Sequence, residues 1–220
     1  MAQLVSGLTT ERVRRNLAEV RERVAAAAQR AGRDPRDVEL VAAVKYVPAG
    51  ELGALAEAGI AIAGESRAQD LQAKAAACGD AFTWDFIGHV QSRKVKQIVP
   101  LVRLIHSVCT DSVLDQLRRH APPQLRVLVE VNLAGEQAKA GVPPAELDAF
   151  LERCPVPVEG LMTMPPLADE PRDSRRWFAA LRELAEPRGL KALSMGTTQD
   201  YEIAVEEGAT LVRIGARLYR

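Results

Sequence analysis

Residues 190–214, LKALSMGTTQDYEIAVEEGATLVRI, decide the fold. The apolar run at 190–195 reads as a strand, a turn of glycine and hydroxyl residues follows, and 200–207 carries apolar residues at helical spacing. After Gly208 a second apolar run, TLVRI at 210–214, reads as another strand. A helix between two strands of one sheet makes them parallel, because a crossover returns the chain to the end of the sheet where it began. Outward from this unit the alternation repeats. Strands are predicted at 38–44 (VELVAAV), 60–64, 82–88 (FTWDFIG), 104–108, 125–133 (LRVLVEVNL) and 156–162. Helices are predicted at 48–58, 66–78, 92–99, 111–120 (capped by Asp111 or Ser112), 143–153 and 170–186. Eight strands separated by helices predict an α/β fold, a single-domain (β/α)8 TIM barrel, with an open doubly wound sheet as the alternative. An amphipathic helix begins near Thr9 or Thr10 and stops at Gly32. Only six residues follow Ile214, too few for an eighth helix, so this extra N-terminal helix is expected to close the barrel. The division expected is a helical segment, 1–36, packed on a barrel, 37–220.

The 220 residues carry 29 Lys+Arg against 29 Asp+Glu, so net charge recruits neither nucleic acid nor a membrane surface. With 47% hydrophobic and 26% charged residues the composition is that of a folded globular chain. Aromatics at 4% argue against a base-stacking surface, and 35 alanines point to closely packed helices. Cys78, Cys109 and Cys154 make no CxxC pair, a poor disulfide framework that points to a reducing cytoplasm. No run is long enough to span a bilayer, and the N-terminal charges lie within a helical pattern rather than ahead of an apolar signal core. Dinucleotide, Walker and nucleophile-elbow motifs are absent from the sequence. His89, His106 and His120 with Cys109 lack metal-ligand spacing, and no metal is expected.

In a barrel the chemistry sits just after each strand. Lys45 directly follows VELVAAV, where partial desolvation would lower its pKa and suit it to Schiff-base formation. A lysine that merely snorkels to solvent explains the same position. After the seventh strand, Gly196-Thr197-Thr198-Gln199-Asp200 suits an anion, and after the eighth, Gly215-Ala216 would let one approach the backbone. These two loops are where barrels commonly bind phosphate, although Thr198 as a helix cap accounts for the first. Arg213 interrupts an apolar strand. Inward, it would keep a facing pyridine nitrogen unprotonated; outward, it would pair with Glu206 or Glu207. Asn132 either lines the mouth or caps the polar loop that follows it.

Seven segments in order resemble one family: LVAAVKYVP (40–48), EAGIAIAGES (57–66), WDFIGHVQSRKVK (84–96), VNLAGEQAKAG (131–141), GLMTM (160–164), LSMGTTQD (193–200) and EEGATLVRIG (206–215). The sequence is similar to the single-domain pyridoxal phosphate homeostasis proteins, the YggS/PROSC-like family. The resemblance implies a barrel like the N-terminal domain of alanine racemase, holding pyridoxal 5'-phosphate (PLP) as a Schiff base on Lys45. It implies Arg213 against the pyridine nitrogen, and Gly196, Thr198, Gly215 and Ala216 around the phosphate. Ser66 and Met195 complete the implied cofactor-binding set. The chain departs from the family pattern at Ser66 (usually Asn), Asp85 (His), Arg93 (Asn), Thr197-Thr198 (Met-Ser) and Ala216 (Thr). The last removes one side-chain hydrogen bond to phosphate, a loss of roughly 1.5–3 kcal/mol.

The function this implies is PLP binding for homeostasis and delivery in the cytoplasm, with little or no turnover, the candidate recipients being apo forms of PLP-dependent enzymes; no long apolar stripe is apparent in the sequence, so a monomer is expected. A PLP-dependent amino-acid racemase is one alternative. Racemisation needs an acid and a base on opposite faces of Cα, and only Lys45 is evident. A Schiff-base lyase or aldolase acting on a phosphorylated substrate is another. Lys74, Lys94, Lys96 and Lys139 are open as second landing points for PLP.

Overall fold

The computed structural model, which describes residues 4–136 and 139–220, turns the eight apolar runs into eight parallel strands. They are β1 (Glu39–Ala43), β2 (Ile62–Glu65), β3 (Thr83–Phe86), β4 (Leu104–Val108), β5 (Arg126–Glu130), β6 (Val158–Met162), β7 (Ala192–Thr197) and β8 (Leu211–Ile214). Each pairs with its neighbours in sequence, and β1 pairs with β8 in the register Val41 against Arg213. The sheet therefore closes and has no edge, which excludes the open doubly wound alternative. The strand predicted at 125–133 ends early, at Glu130. Beyond it the chain folds back on its own loop, Asn132 N donating to Val142 O at 3.0 Å, and leaves the barrel ladder.

The helices are α1 (Thr10–Arg30), α2 (Leu52–Glu57), α3 (Ala68–Cys78), α4 (Val95–Ile98), α5 (Asp111–His120), α6 (Leu147–Arg153), α7 (Arg175–Ala185), α8 (Tyr201–Glu206) and α9 (Ala216–Tyr219). Thr9 caps α1, its side chain accepting from Arg12 N at 3.3 Å. The expected caps of α5 are corrected: Thr110 is its N-cap, and Asp111 is the first helical residue, with its charge at the positive helix end. The expectation that no helix follows β8 is also corrected, since α9 makes a single turn there. α1 packs against α2, α8 and α9. Asn16 of α1 donates to Leu218 O at 3.2 Å and to Arg220 O at 2.7 Å, satisfying carbonyls that so short a helix leaves unpaired.

Strand alternation divides the apolar side chains between two cores. Inside the barrel, Val41, Leu104, Leu128, Met162 and Leu211 form an apolar plug. Outside, the alternate residues meet the apolar stripes of the helices, Val13, Leu17 and Val20 of α1 among them. Each such Val or Leu contributes about 1.5–3 kcal/mol of burial. Truncating fully packed Leu17 to Ala costs about 2–5 kcal/mol because the rigid surroundings leave a cavity.

Candidate functional site

Two residues beyond the plug on β4, β5 and β8, the inward side chains become polar: His106 follows Leu104, Glu130 follows Leu128, and Arg213 follows Leu211. Arg213 therefore points inward, and only 5% of it is exposed. Nη1 donates to Ser194 Oγ at 2.5 Å and Nη2 to Thr163 O at 3.1 Å, while Nη2 also lies 2.9 Å from Met164 Sδ. All three partners are neutral. Burial lowers the guanidinium to about 10, opposed by the nearby carboxylates of Glu130 and Asp200, so it keeps its charge at neutral pH. The outward pairing is corrected: Glu206 and Glu207 face the helical layer, where they pair with Arg30, Arg175 and Arg182.

Behind Ser194 the polar chain continues through the interior. Ser194 Oγ lies 2.8 Å from His106 Nδ1, and His106 Nε2 lies 3.2 Å from Asp85 Oδ2. Arg103 Nε donates to Asp85 Oδ1 at 2.9 Å, and Arg103 Nη2 reaches Glu39 Oε2 at 2.6 Å at the exposed base of the barrel. Asp85, His106 and Ser194 are fully buried. The departure from the family pattern at Asp85 is thus matched locally by a cation on one side and an imidazole on the other.

Lys45 lies in the turn just past β1 and is exposed, its Nζ 4.9 Å from the Tyr46 ring centroid. This corrects the expectation of a desolvated ammonium. What is buried is the support beneath it. Tyr219 Oη donates to Ala43 O at 3.2 Å, and Lys74 Nζ donates to Val44 O at 2.7 Å. Lys74 also forms a short ion pair with Glu65, whose other carboxylate oxygen accepts from Ser66 N at 2.6 Å. Lys74 is only 5% exposed and is removed from the possible second landing points for PLP.

The loops after β7 and β8 meet. Gly215 N donates to Thr198 Oγ1 at 3.1 Å, so Thr198 ties the loops together, and Asp200 takes the N-cap position of α8. Asp200 Oδ1 accepts from Thr197 N at 2.7 Å, which holds the turn shut. Gly196 has φ +86°, and a Cβ there would stand 2.5 Å from Ala204 Cβ and 2.9 Å from Tyr201 Cα; only glycine fits. Ala216 is exposed beside Gly215, at the start of α9. Ser66 stands at the end of β2 with its hydroxyl directed at Glu65. The Met195 side chain is fully buried in the core between barrel and helices. Asn132 caps its loop, Nδ2 donating to Glu136 O at 2.9 Å.

Glu130 is the second titratable group of the mouth. It is 8% exposed, and burial pushes its carboxyl up to about 7 against the attraction of Arg213. Cys109 nearby is pushed up to about 11, first by burial and then by Glu130, so it stays a thiol. Sequence reading missed His106, Ser194, Tyr219, Lys74 and Glu130 as parts of this site. The available signals were period-two spacing from Leu104 and Leu128, and a polar residue two positions before Gly196.

The family model for the N-terminal domain of alanine racemase matches residues 15–220. A pyridoxal phosphate homeostasis protein of Aquifex aeolicus is 39% identical over 217 residues, spanning 92% of this chain and 95% of the relative. One from Pseudomonas aeruginosa is 38% identical over 214 residues, spanning 93% of each. Among solved structures, PipY of Synechococcus elongatus with PLP bound superposes with a TM-score of 0.79 at 29% identity, covering 94% of this chain and 100% of that one. Alanine racemase of Corynebacterium glutamicum matches with a TM-score of 0.71 at 17% identity over 100% of this chain and 64% of its own, a likeness of fold. The chain belongs to the family of pyridoxal phosphate homeostasis proteins, built on the barrel of the alanine racemase N-terminal domain.

Proposed function

We propose that the chain binds PLP at the mouth of its barrel, covalently through Lys45, and serves PLP homeostasis and delivery in the cytoplasm as a monomer. The observation that carries this reading is Arg213: a charged, buried guanidinium on the barrel floor whose own partners are all neutral. A pyridine nitrogen is a neutral acceptor, which suits it where a carboxylate-seeking arginine would already be paired. The phosphate end is suited by the Gly196 turn, where a Cβ does not fit, and by Thr198, whose hydroxyl keeps a proton to donate while its oxygen accepts from the Gly215 amide. Ser66 and the Met195 main chain complete the lining, with Ala216 at the rim.

Bound there, PLP supplies an aldehyde for amines and a ring that can accept electrons. Arg213 stays protonated near neutral pH and has no proton to spare, so it keeps a facing ring nitrogen an acceptor and makes the ring a poor electron sink. That favours holding the cofactor over turning over substrates. The test is the visible absorption of purified protein with added PLP, repeated after borohydride and in Lys45→Ala. A PLP-dependent band in the wild type that borohydride traps, and that Lys45→Ala lacks, is the expected result. A wild type that never acquires the band would sink the reading.

One observation favours a racemase as a second reading. Glu130 in the mouth, raised to about 7, is the proton-transfer group that sequence reading lacked. Chiral chromatography of L-amino acids incubated with the loaded protein separates the readings. Turnover at enzyme-like rates that Glu130→Gln abolishes would replace the carrier with an enzyme.

A further inference from the structure

We propose that Asp85, His106 and Ser194 form a one-way hydrogen-bond relay that positions Arg213 at the floor of the mouth, with His106 neutral and carrying its proton on Nε2. The direction follows from counting protons. A guanidinium only donates, so Ser194 Oγ is the acceptor in its 2.5 Å contact with Arg213 Nη1. Ser194 is fully buried, and its own proton needs a partner; His106 Nδ1, 2.8 Å away, provides one only as an acceptor. At the other end the Asp85 carboxyl already accepts from Arg103, which leaves it to accept from His106 Nε2 as well. One tautomer satisfies every contact.

The charged groups facing His106 agree. From β4 it meets Asp85 of β3 and Ser194 of β7, with Arg213 of β8 and Arg103 ahead of β4 beyond them. Burial holds its pKa below the ordinary histidine value, and the two arginines act in the same direction against Asp85. A protonated ring would strand the Ser194 proton and place a second buried cation beside Arg213. These are positioning residues. They act on a bound ligand through the arginine, whose two Nη atoms are held by Ser194 on one side and Thr163 O on the other. The consequence for PLP rests on the binding reading above, whereas the relay itself is a property of the free chain.

The relay is tested on the PLP-free chain labelled with 15N-histidine, using long-range proton–nitrogen correlations, with His89→Gln and His120→Gln to assign the signals. His106 is expected to show protonated Nε2 and bare Nδ1 at neutral pH, the state that burial favours. A doubly protonated ring, or a proton on Nδ1, would overturn the relay. In Asp85→Asn, Ser194 still donates to Nδ1, so the proton is expected to stay on Nε2 and the Nε2 resonance to shift as its carboxylate acceptor becomes an amide. An Nε2 resonance that does not shift in a folded variant counts against the proposal. Should Asp85→Asn not fold, Ser194→Ala serves, with the His106 Nδ1 resonance expected to shift as its hydrogen bond is lost; an unmoved resonance counts against the relay.

The positioning role is read on PLP-loaded protein. Ser194→Ala should move the absorption maximum of the bound cofactor and speed its release roughly tenfold, the effect of losing one charge-assisted hydrogen bond. An unchanged spectrum with unchanged release would remove the positioning role. A wild type that takes up no PLP defeats the binding reading alone, and the tautomer result still decides the relay.

Discussion

Arg213, near the end of β8, and Lys45, just past β1, lie on strands paired side by side, and the two cations are held in opposite ways. The arginine is buried, with its guanidinium fixed by Ser194 and Thr163. The lysine is exposed, and only the backbone beneath it is fixed, by Tyr219 and Lys74 on the carbonyls of Ala43 and Val44. A group that orients a ring benefits from one rigid geometry. A nucleophile that captures and releases an aldehyde needs side-chain freedom on a fixed base. In the function proposed above, the neighbouring strands divide positioning from capture.

The largest expected break is on the lysine side. Lys74→Met leaves Glu65 buried without its cation and frees the Val44 carbonyl, a cost of about 3–5 kcal/mol, or roughly 10 °C in Tm. Thermal melts check it, and Lys74→Met with Glu65→Leu should recover most of the loss. If the single variant melts like wild type, the support beneath Lys45 is not structural.

On the arginine side, Glu130 is the lever. Its folded carboxyl is raised to about 7 from an ordinary 4.5, so between these values the folded chain holds a proton that the unfolded chain releases. Stability from this group is therefore present at low pH and lost as pH rises through 4.5 to 7, a difference of up to about 3 kcal/mol. Glu130→Gln should be the more stable protein at pH 8 and lose that advantage at pH 4.5. Urea unfolding at both values measures it, and a pH-independent difference would count against the buried carboxyl.

Ala216→Thr adds a hydroxyl beside the Gly215 turn and should slow PLP loss on dialysis, by at most about 1.5–3 kcal/mol of added binding. Unchanged or faster loss would place Ala216 away from the phosphate. The smallest effect on stability belongs to Lys45→Ala. An exposed side chain away from the core should shift stability by no more than about 0.5 kcal/mol while covalent capture of PLP is lost. A large drop in stability would mean that Lys45 is part of the scaffold, and the contrast with Arg213 would fail.

Much of the barrel was legible because strands and helices bury apolar residues at different periods, and eight short runs left few topologies. Lys45, Arg213 and the two glycine turns were legible because each breaks a local pattern at a strand end. His106, Ser194 and Asp85 were not. Their spacing marks them as inward, yet they lie on β4, β7 and β3, and nothing local in sequence says that three polar residues from separate strands will meet. Lys74 was left open as a landing point for PLP, because its partner Glu65 lies on β2 and its other contact, Val44, just past β1.

The sequence by itself determined the parallel alternation and the lysine, arginine and glycine turns at the strand ends, since these follow from local periodicity and backbone sterics. Tertiary structure alone decided which cation is buried and which is free. Closure of the barrel brings side chains from distant strands within hydrogen-bond reach, and desolvation there depends on neighbours far away in the chain.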